Sequence, residues 1–221
     1  MAPAPTRVAA VVFDCDGLLV ETESRWTIAE TAVFDEYGFP FGPEQKAMLL
    51  GRAVEEAAPD MAEYFGRPGE ADAIAADLLE RVHREIAAQA EALPGALELV
   101  RACAARVPVA VASNSPRSLV DLALAPSGLG DLLPVRITIE DVERPKPWPD
   151  LFLEACRRLD ADPASSVAFE DSGTGMRSAR AAGLYVVGVP SLAGLEVDCD
   201  WQVESLADPE LVAWAAALRA A

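Results

Sequence analysis

Runs of β-favouring apolar residues recur along the chain, and most of them end on a side chain able to do chemistry. Residues 8–13 (VAAVVF) lead into Asp14, 107–112 (VPVAVA) into Ser113, 135–139 (VRITI) into Glu140, and 167–169 (VAF) into Glu170. A fifth run, 184–189 (LYVVGV), stops at Pro190. Such runs predict strands buried on both faces. Between them lie 3.6-residue patterns that predict helices over 96–105, 118–124, 149–159 and 174–182. Strand and helix therefore alternate through the C-terminal half, as in a parallel α/β sheet, and a short strand over 201–203 with a helix starting near Pro209 completes it. Open sheets of this kind bind ligands beyond the carboxyl ends of their strands, where the polar residues above collect.

From about residue 23 to 92 the texture is helical only, punctuated by turn signals at Gly38-Phe39-Pro40, Gly42-Pro43 and Arg67-Pro68-Gly69. The expected organisation is an α/β, Rossmann-like core with helices on both faces, built from residues 1–22 and 93–221. Its first strand is central, and an all-helical insert over residues 23–92 interrupts it.

Composition narrows the chemistry. Eighteen Lys and Arg stand against 36 Asp and Glu in 221 residues, a formal charge of −18, which opposes binding to a nucleic-acid backbone. The longest apolar runs, 8–13 and 211–218, fall far short of the ~18–20 residues of a membrane span. MAPAPTR at the N-terminus lacks the apolar stretch of a signal peptide, so a soluble cytoplasmic protein is expected. The four cysteines show no C-x-x-C spacing. With His83 the single histidine, sitting beside the apolar stripe of a predicted helix, any acid or base is expected to be a carboxylate. Lysine is equally scarce: Lys46 and Lys146 stand against sixteen arginines. A lysine kept at a crowded position indicates a need for a compact point charge.

The stretch FDCDGLLVETE places Asp14 and Asp16 two apart at a strand end, followed by Gly17, which permits a tight turn. Two carboxylates ~4 Å apart at an effective dielectric of ~20 repel by roughly 4 kcal/mol, so a metal, a shared proton or a cation is expected between them. D-x-D-G alone equally suits a solvated turn. VASNS adds Ser113 and Asn114, RPKPWPD adds Lys146, and FEDSGTG adds Glu170 and Asp171, each at or beyond a different strand end. A hydroxyl, a lysine and two acidic pairs suit phosphoryl transfer, because hard Mg²⁺ takes oxygen ligands while lysine offsets phosphate charge.

These four motifs, in this order and over nearly the whole chain, resemble the haloacid dehalogenase superfamily, in particular its phosphatase and β-phosphoglucomutase-like branch with a helical cap. The resemblance implies that Asp14 is a nucleophile forming an aspartyl-phosphate and that Asp16 is the acid/base. It implies that Asp14, the backbone carbonyl of Asp16, Glu170 and Asp171 bind Mg²⁺, and that Ser113, the backbone of Asn114 and Lys146 hold the phosphoryl group. It makes residues 23–92 the cap and places LLGR (49–52) in a cap loop, with Arg52 and Trp26, and further Arg25, as residues choosing the substrate; Arg52 equally suits pairing with Glu55 or Glu56, Trp26 suits packing between cap helices, and Arg117, four residues after Ser113, suits the surface as well as the site. Two departures stand out. Glu21-Thr22-Glu23 replaces the usual D-[ST]-E, and Trp26 falls where β-phosphoglucomutase has a histidine, which weakens a mutase assignment.

The expected activity is a Mg²⁺-dependent phosphatase acting on a small phosphorylated metabolite such as a sugar phosphate. A hexose-phosphate mutase is the alternative within the same superfamily. A phospho-acceptor signalling domain and a non-catalytic binding protein are the alternatives outside it. Oligomeric state is not legible in the pattern.

Overall fold

The computed structural model describes residues 4–190 and 198–221. Among these residues, six parallel strands form one sheet: β2 (Val11–Phe13), β3 (Val109–Ala112), β4 (Val135–Ile137), β5 (Val167–Glu170), β6 (Tyr185–Gly188) and β7 (Trp201–Gln202). Their order is β4-β3-β2-β5-β6-β7, which puts the first of them in the middle, in register with Val109–Val111 on one side and Val167–Phe169 on the other. Alternate side chains point to opposite faces, as a two-residue period requires. Phe13, Val111 and Phe169 face the apolar cluster that includes α5 (Ala96–Ala104) and α9 (Pro209–Ala217). Val12, Ala110, Ala168 and Val186 face α7 (Asp150–Arg158) and α8 (Gly173–Ala181). Helices thus cover both faces of a Rossmann-like sheet. Phe13 stacks on Phe169 at 5.1 Å between ring centroids, and Trp214 of α9 closes over Phe169 at 5.7 Å.

Between β2 and α5 the chain folds into α1 (Glu23–Glu36), α2 (Pro43–Leu49), α3 (Val54–Tyr64) and α4 (Ala71–Ala88). Phe34 anchors an aromatic nest with Phe41, Tyr64 and Phe65, at centroid distances of 4.8–5.7 Å. The stripe Ile74, Leu78, Val82 and Ile86 of α4 belongs to the same apolar cluster as the sheet, and α4 packs on α6 (Arg117–Leu124). His83 lies on the exposed side of α4. The chain leaves and re-enters the sheet at one place, where Glu21 N donates to Glu91 O (2.8 Å) and Leu93 N to Leu19 O (2.9 Å). Glu21, which stands where the family usually has Asp, accepts from Ser24 N (3.2 Å) and Ser24 Oγ (2.7 Å) and so serves one open amide in the first turn of α1.

Two expectations need correction. The run 8–13 is not one strand: Arg7 and Val8 form β1, which pairs with β8 (Arg219–Ala220) beyond α9, and only from Val11 does the chain join the main sheet. At the break Ala9 N donates to Ser165 O, 2.7 Å away. An apolar run marks burial but not the partner, and here the partner changes midway. The run 135–139 ends as a strand at Ile137, because Thr138 turns the chain into a 3₁₀ turn over Ile139–Asp141 whose Asp141 accepts from Thr138 N (2.9 Å).

Gly95, just ahead of α5, sits at φ +86°, and a Cβ there would lie 2.4 Å from Ala207 N and 2.5 Å from Leu206 C. Gly95→Ala therefore combines a left-handed backbone with a clash against main chain. It is expected to lower unfolding stability by about 2 kcal/mol or more, read as a shift in the urea midpoint.

Candidate active site

The carboxyl ends of β2, β3 and β5 meet the loop before α7, and their polar side chains converge. Asp14 follows β2, its amide donating to Phe169 O at 3.0 Å. Glu170 ends β5 and Asp171 follows it. Lys146, only 2% exposed, reaches between them, with Nζ 2.5 Å from Asp14 Oδ1 and 2.5 Å from Glu170 Oε1. Burial works against the Lys146 charge, but the two carboxylates outweigh it and hold its pKa above the ordinary lysine value. Burial pushes Asp14 well above the usual carboxylate range; Lys146 pulls it down, and Glu170, Asp171 and Asp16 push it up.

Asp14, Glu170 and Asp171 each offer a carboxylate oxygen within 4.8 Å of the others, and all three are buried. Against one ammonium, three carboxylates leave a formal charge of −2, an imbalance that a divalent cation would neutralise. An all-oxygen donor set of this kind fits a hard cation such as Mg²⁺ better than a thiophilic one. The chain shapes the cradle closely. Gly175, in the first turn of α8, packs on Glu170 so tightly that a Cβ would lie 2.0 Å from the carboxyl carbon. Ser172 caps α8 by accepting from Gly175 N (3.0 Å) while its own hydroxyl donates to Glu170 Oε2 (3.3 Å).

Asp16 stands apart from this trio. Its Oδ1 accepts from Thr22 Oγ1 (2.8 Å), and its Oδ2 accepts from Ser115 Oγ (2.8 Å) and Ser113 Oγ (3.2 Å). Three hydroxyls from two loops thus hold one carboxylate in a fixed orientation. The Asn114 side chain clamps the backbone of Lys146, accepting from its N–H (2.8 Å) and donating to its carbonyl (3.1 Å), and it also donates to Gly51 O in the helical insert (3.0 Å).

Asp14, Asp16, Ser113, Asn114, Lys146 and Asp171 line one cleft together with Trp26 and Arg52. The Arg52 guanidinium turns back onto the insert, donating to Asp60 Oδ2 (2.8 Å), Glu56 O (2.7 Å) and Met48 O (3.2 Å). Arg25 is not part of the cleft wall; its Nε donates to Ser24 Oγ at 3.1 Å. Arg117 does not face the cleft either: its guanidinium binds Asp141 and Arg136 O. The sequence gives no sign of the site contacts of Thr22 and Ser115, although both lie inside the motifs ETE and VASNS, and it assigns no place in the site to the cleft-lining Glu23, Lys46 and Glu30.

The family model of haloacid dehalogenase-like hydrolases matches residues 8–183, and the chain belongs to that family. It is 32% identical over 180 residues to the validoxylamine A 7'-phosphate phosphatase of Streptomyces hygroscopicus subsp. limoneus, covering 80% of this chain and 84% of that one. It is 30% identical over 183 residues to the fructose-1-phosphate phosphatase YqaB of Escherichia coli, covering 83% and 97%. Among solved structures, CbbY from Rhodobacter sphaeroides in complex with phosphate superposes with a TM-score of 0.78 at 26% identity over 91% of this chain and 96% of that one. Among the described residues, no helix is long and apolar enough to cross a membrane.

Because Gly175 leaves no room beside Glu170, Gly175→Ala is expected to displace that carboxylate. Titration calorimetry with Mg²⁺ should show affinity at least about tenfold weaker while far-UV circular dichroism keeps its native form.

Proposed function

We propose that this chain is a Mg²⁺-dependent phosphatase that hydrolyses a small phosphorylated metabolite, of the sugar-phosphate kind, through an aspartyl-phosphate on Asp14. One observation carries the reading: Asp14 lies within a buried carboxylate trio, bridged by Lys146, while Asp16 two residues on is held by hydroxyls outside that trio. The two carboxylates thus have separate environments and separate tasks. The phosphatases named among the relatives support the same class of substrate.

In this reading Asp14, the Asp16 carbonyl, Glu170 and Asp171 hold the Mg²⁺, which supplies charge neutralisation for the phosphoryl oxygens. Lys146 and the Asn114 backbone hold the phosphoryl group, joined by the Ser113 hydroxyl, whose one proton then turns from Asp16 to a phosphoryl oxygen. Asp14 attacks phosphorus, the bond to the ester oxygen breaks, and Asp16 passes a proton to the departing alcohol. Asp16 then takes a proton from a water that attacks the phosphoryl-aspartate, and the bond to Asp14 breaks to release phosphate. Residues 23–92 act as the cap over a core of 1–22 and 93–221, closing through the Asn114–Gly51 contact, and Trp26 and Arg52 form part of the cap wall facing the substrate. Trp26 in the cleft argues against a mutase, since an indole donates a hydrogen bond but moves no proton at neutral pH.

With Mg²⁺ and a panel of phosphate esters, the protein is expected to release inorganic phosphate, and chelation with EDTA should abolish release until Mg²⁺ is restored. Asp14→Asn should lower kcat by about 10³-fold or more. Equal release by wild type and Asp14→Asn would overturn the proposal, and isomer interconversion with little net phosphate would favour the mutase. Separately, Thr22→Val removes one of the three donors to Asp16. It should lower kcat roughly tenfold with Mg²⁺ affinity retained, as determined by steady-state kinetics beside calorimetry.

A further inference from the structure

The wall of the cleft opposite the strand ends carries a second set of buried charges. Lys46 of α2 is 8% exposed, and its Nζ lies 2.5 Å from Glu23 Oε1 and 2.7 Å from Glu30 Oε2, both on α1. All three side chains line the same cleft as Asp14 and Asp16. Burial works against the Lys46 charge, but Glu30 and Glu23 outweigh it and keep it protonated. With both carboxylates ionised the group carries a formal −1; if Glu30, whose pKa burial raises against the pull of Lys46, takes up a proton, it is neutral. In neither state does it offer surplus positive charge.

The other cations lining the cleft are equally engaged. Arg52 is paired with Asp60 and two carbonyls, and Lys146 is held by Asp14 and Glu170. Around Lys46 the wall is otherwise apolar, with Trp26, Leu49, Val54 and Leu78. A second phosphate or a carboxylate on the leaving group would there meet Glu23 and Glu30 with no unpaired cation among the described residues to receive it, in a setting where desolvation magnifies the repulsion. Alcohol hydroxyls face no such cost, because carboxylate oxygens accept their hydrogen bonds.

We propose that Glu23, Lys46 and Glu30 select the leaving group of the proposed phosphatase, admitting esters of uncharged, hydroxyl-rich alcohols and excluding bisphosphates and phosphorylated acids. The inference rests on the phosphatase reading and adds to it the class of ester and the residues that choose it.

The test compares kcat/KM within matched pairs, in the presence of Mg²⁺. The pairs are a ketohexose 1-phosphate against its 1,6-bisphosphate and glycerol phosphate against phosphoglycolate, with p-nitrophenyl phosphate as a reference ester. The uncharged leaving group is expected to be preferred at least about tenfold in each pair. Glu23→Gln and Glu30→Gln, each removing one negative charge, should narrow that preference severalfold. Because the ratio is taken within one preparation, a partial loss of folded protein cancels. Equal or faster hydrolysis of the doubly anionic esters, or ratios unchanged in both variants, would overturn the selection while leaving the phosphatase standing. Failure to hydrolyse any ester, the reference included, would overturn the phosphatase and this inference with it.

Discussion

A lysine ammonium buried to 2% exposure cannot be left without compensation, and the strand ends of this protein are organised around that requirement. Lys146 contacts Asp14 at the end of β2 and Glu170 at the end of β5, neighbouring strands in the middle of the sheet. Removing one partner from such a buried pair costs about 3–5 kcal/mol in comparable cases, because it strands a charge. The ion pairs thus tie the sheet and the site into one structure. Yet the balance is incomplete: with all three carboxylates ionised, the added Asp171 leaves the centre formally two charges negative, an excess that a divalent cation would neutralise.

The loops around this centre are held as firmly as the charges. Asn114 spends its side chain on the backbone of Lys146 and on Gly51 of the helical insert, so the lysine and the insert are positioned by one amide. Asp16 is oriented by Thr22, which begins the passage into the insert, and by Ser113 and Ser115, which follow β3. Reacting groups gain most from such pre-set geometry, because little reorganisation remains when the substrate arrives. The apolar cluster running unbroken from Phe13 and Phe169 to Phe34, Leu78 and Ile86 gives the insert a packed seat above the strand ends.

The acidity of the whole chain takes on two local meanings. At the strand ends it exceeds the available positive charge and fits a cation. At the insert wall, Glu23 and Glu30 neutralise Lys46, and Asp60 neutralises Arg52, so among the described residues the cleft has no spare cation.

Much of this was legible in the residues themselves. Apolar runs ending in Asp14, Ser113 and Glu170 marked the strands and the side to which the site belongs, because alternation of strand and helix allows few topologies. The rarity of lysine singled out Lys146. Spacing along a chain says nothing, however, about which side chains far apart in sequence come to share a space. The partner of Arg7 and Val8 lies at Arg219 and Ala220, so the run 8–13 concealed a break. Arg52, read as choosing the substrate or pairing with Glu55 or Glu56, is instead bound by Asp60 and two carbonyls. Lys46, read only as an isolated lysine, is locked between two glutamates of another helix. Local pattern and propensity determined the sheet, the helices and the polar side chains set at the strand ends. Only tertiary packing decided which charges neutralise one another, because that depends on distance and burial, and these exist only in the folded chain.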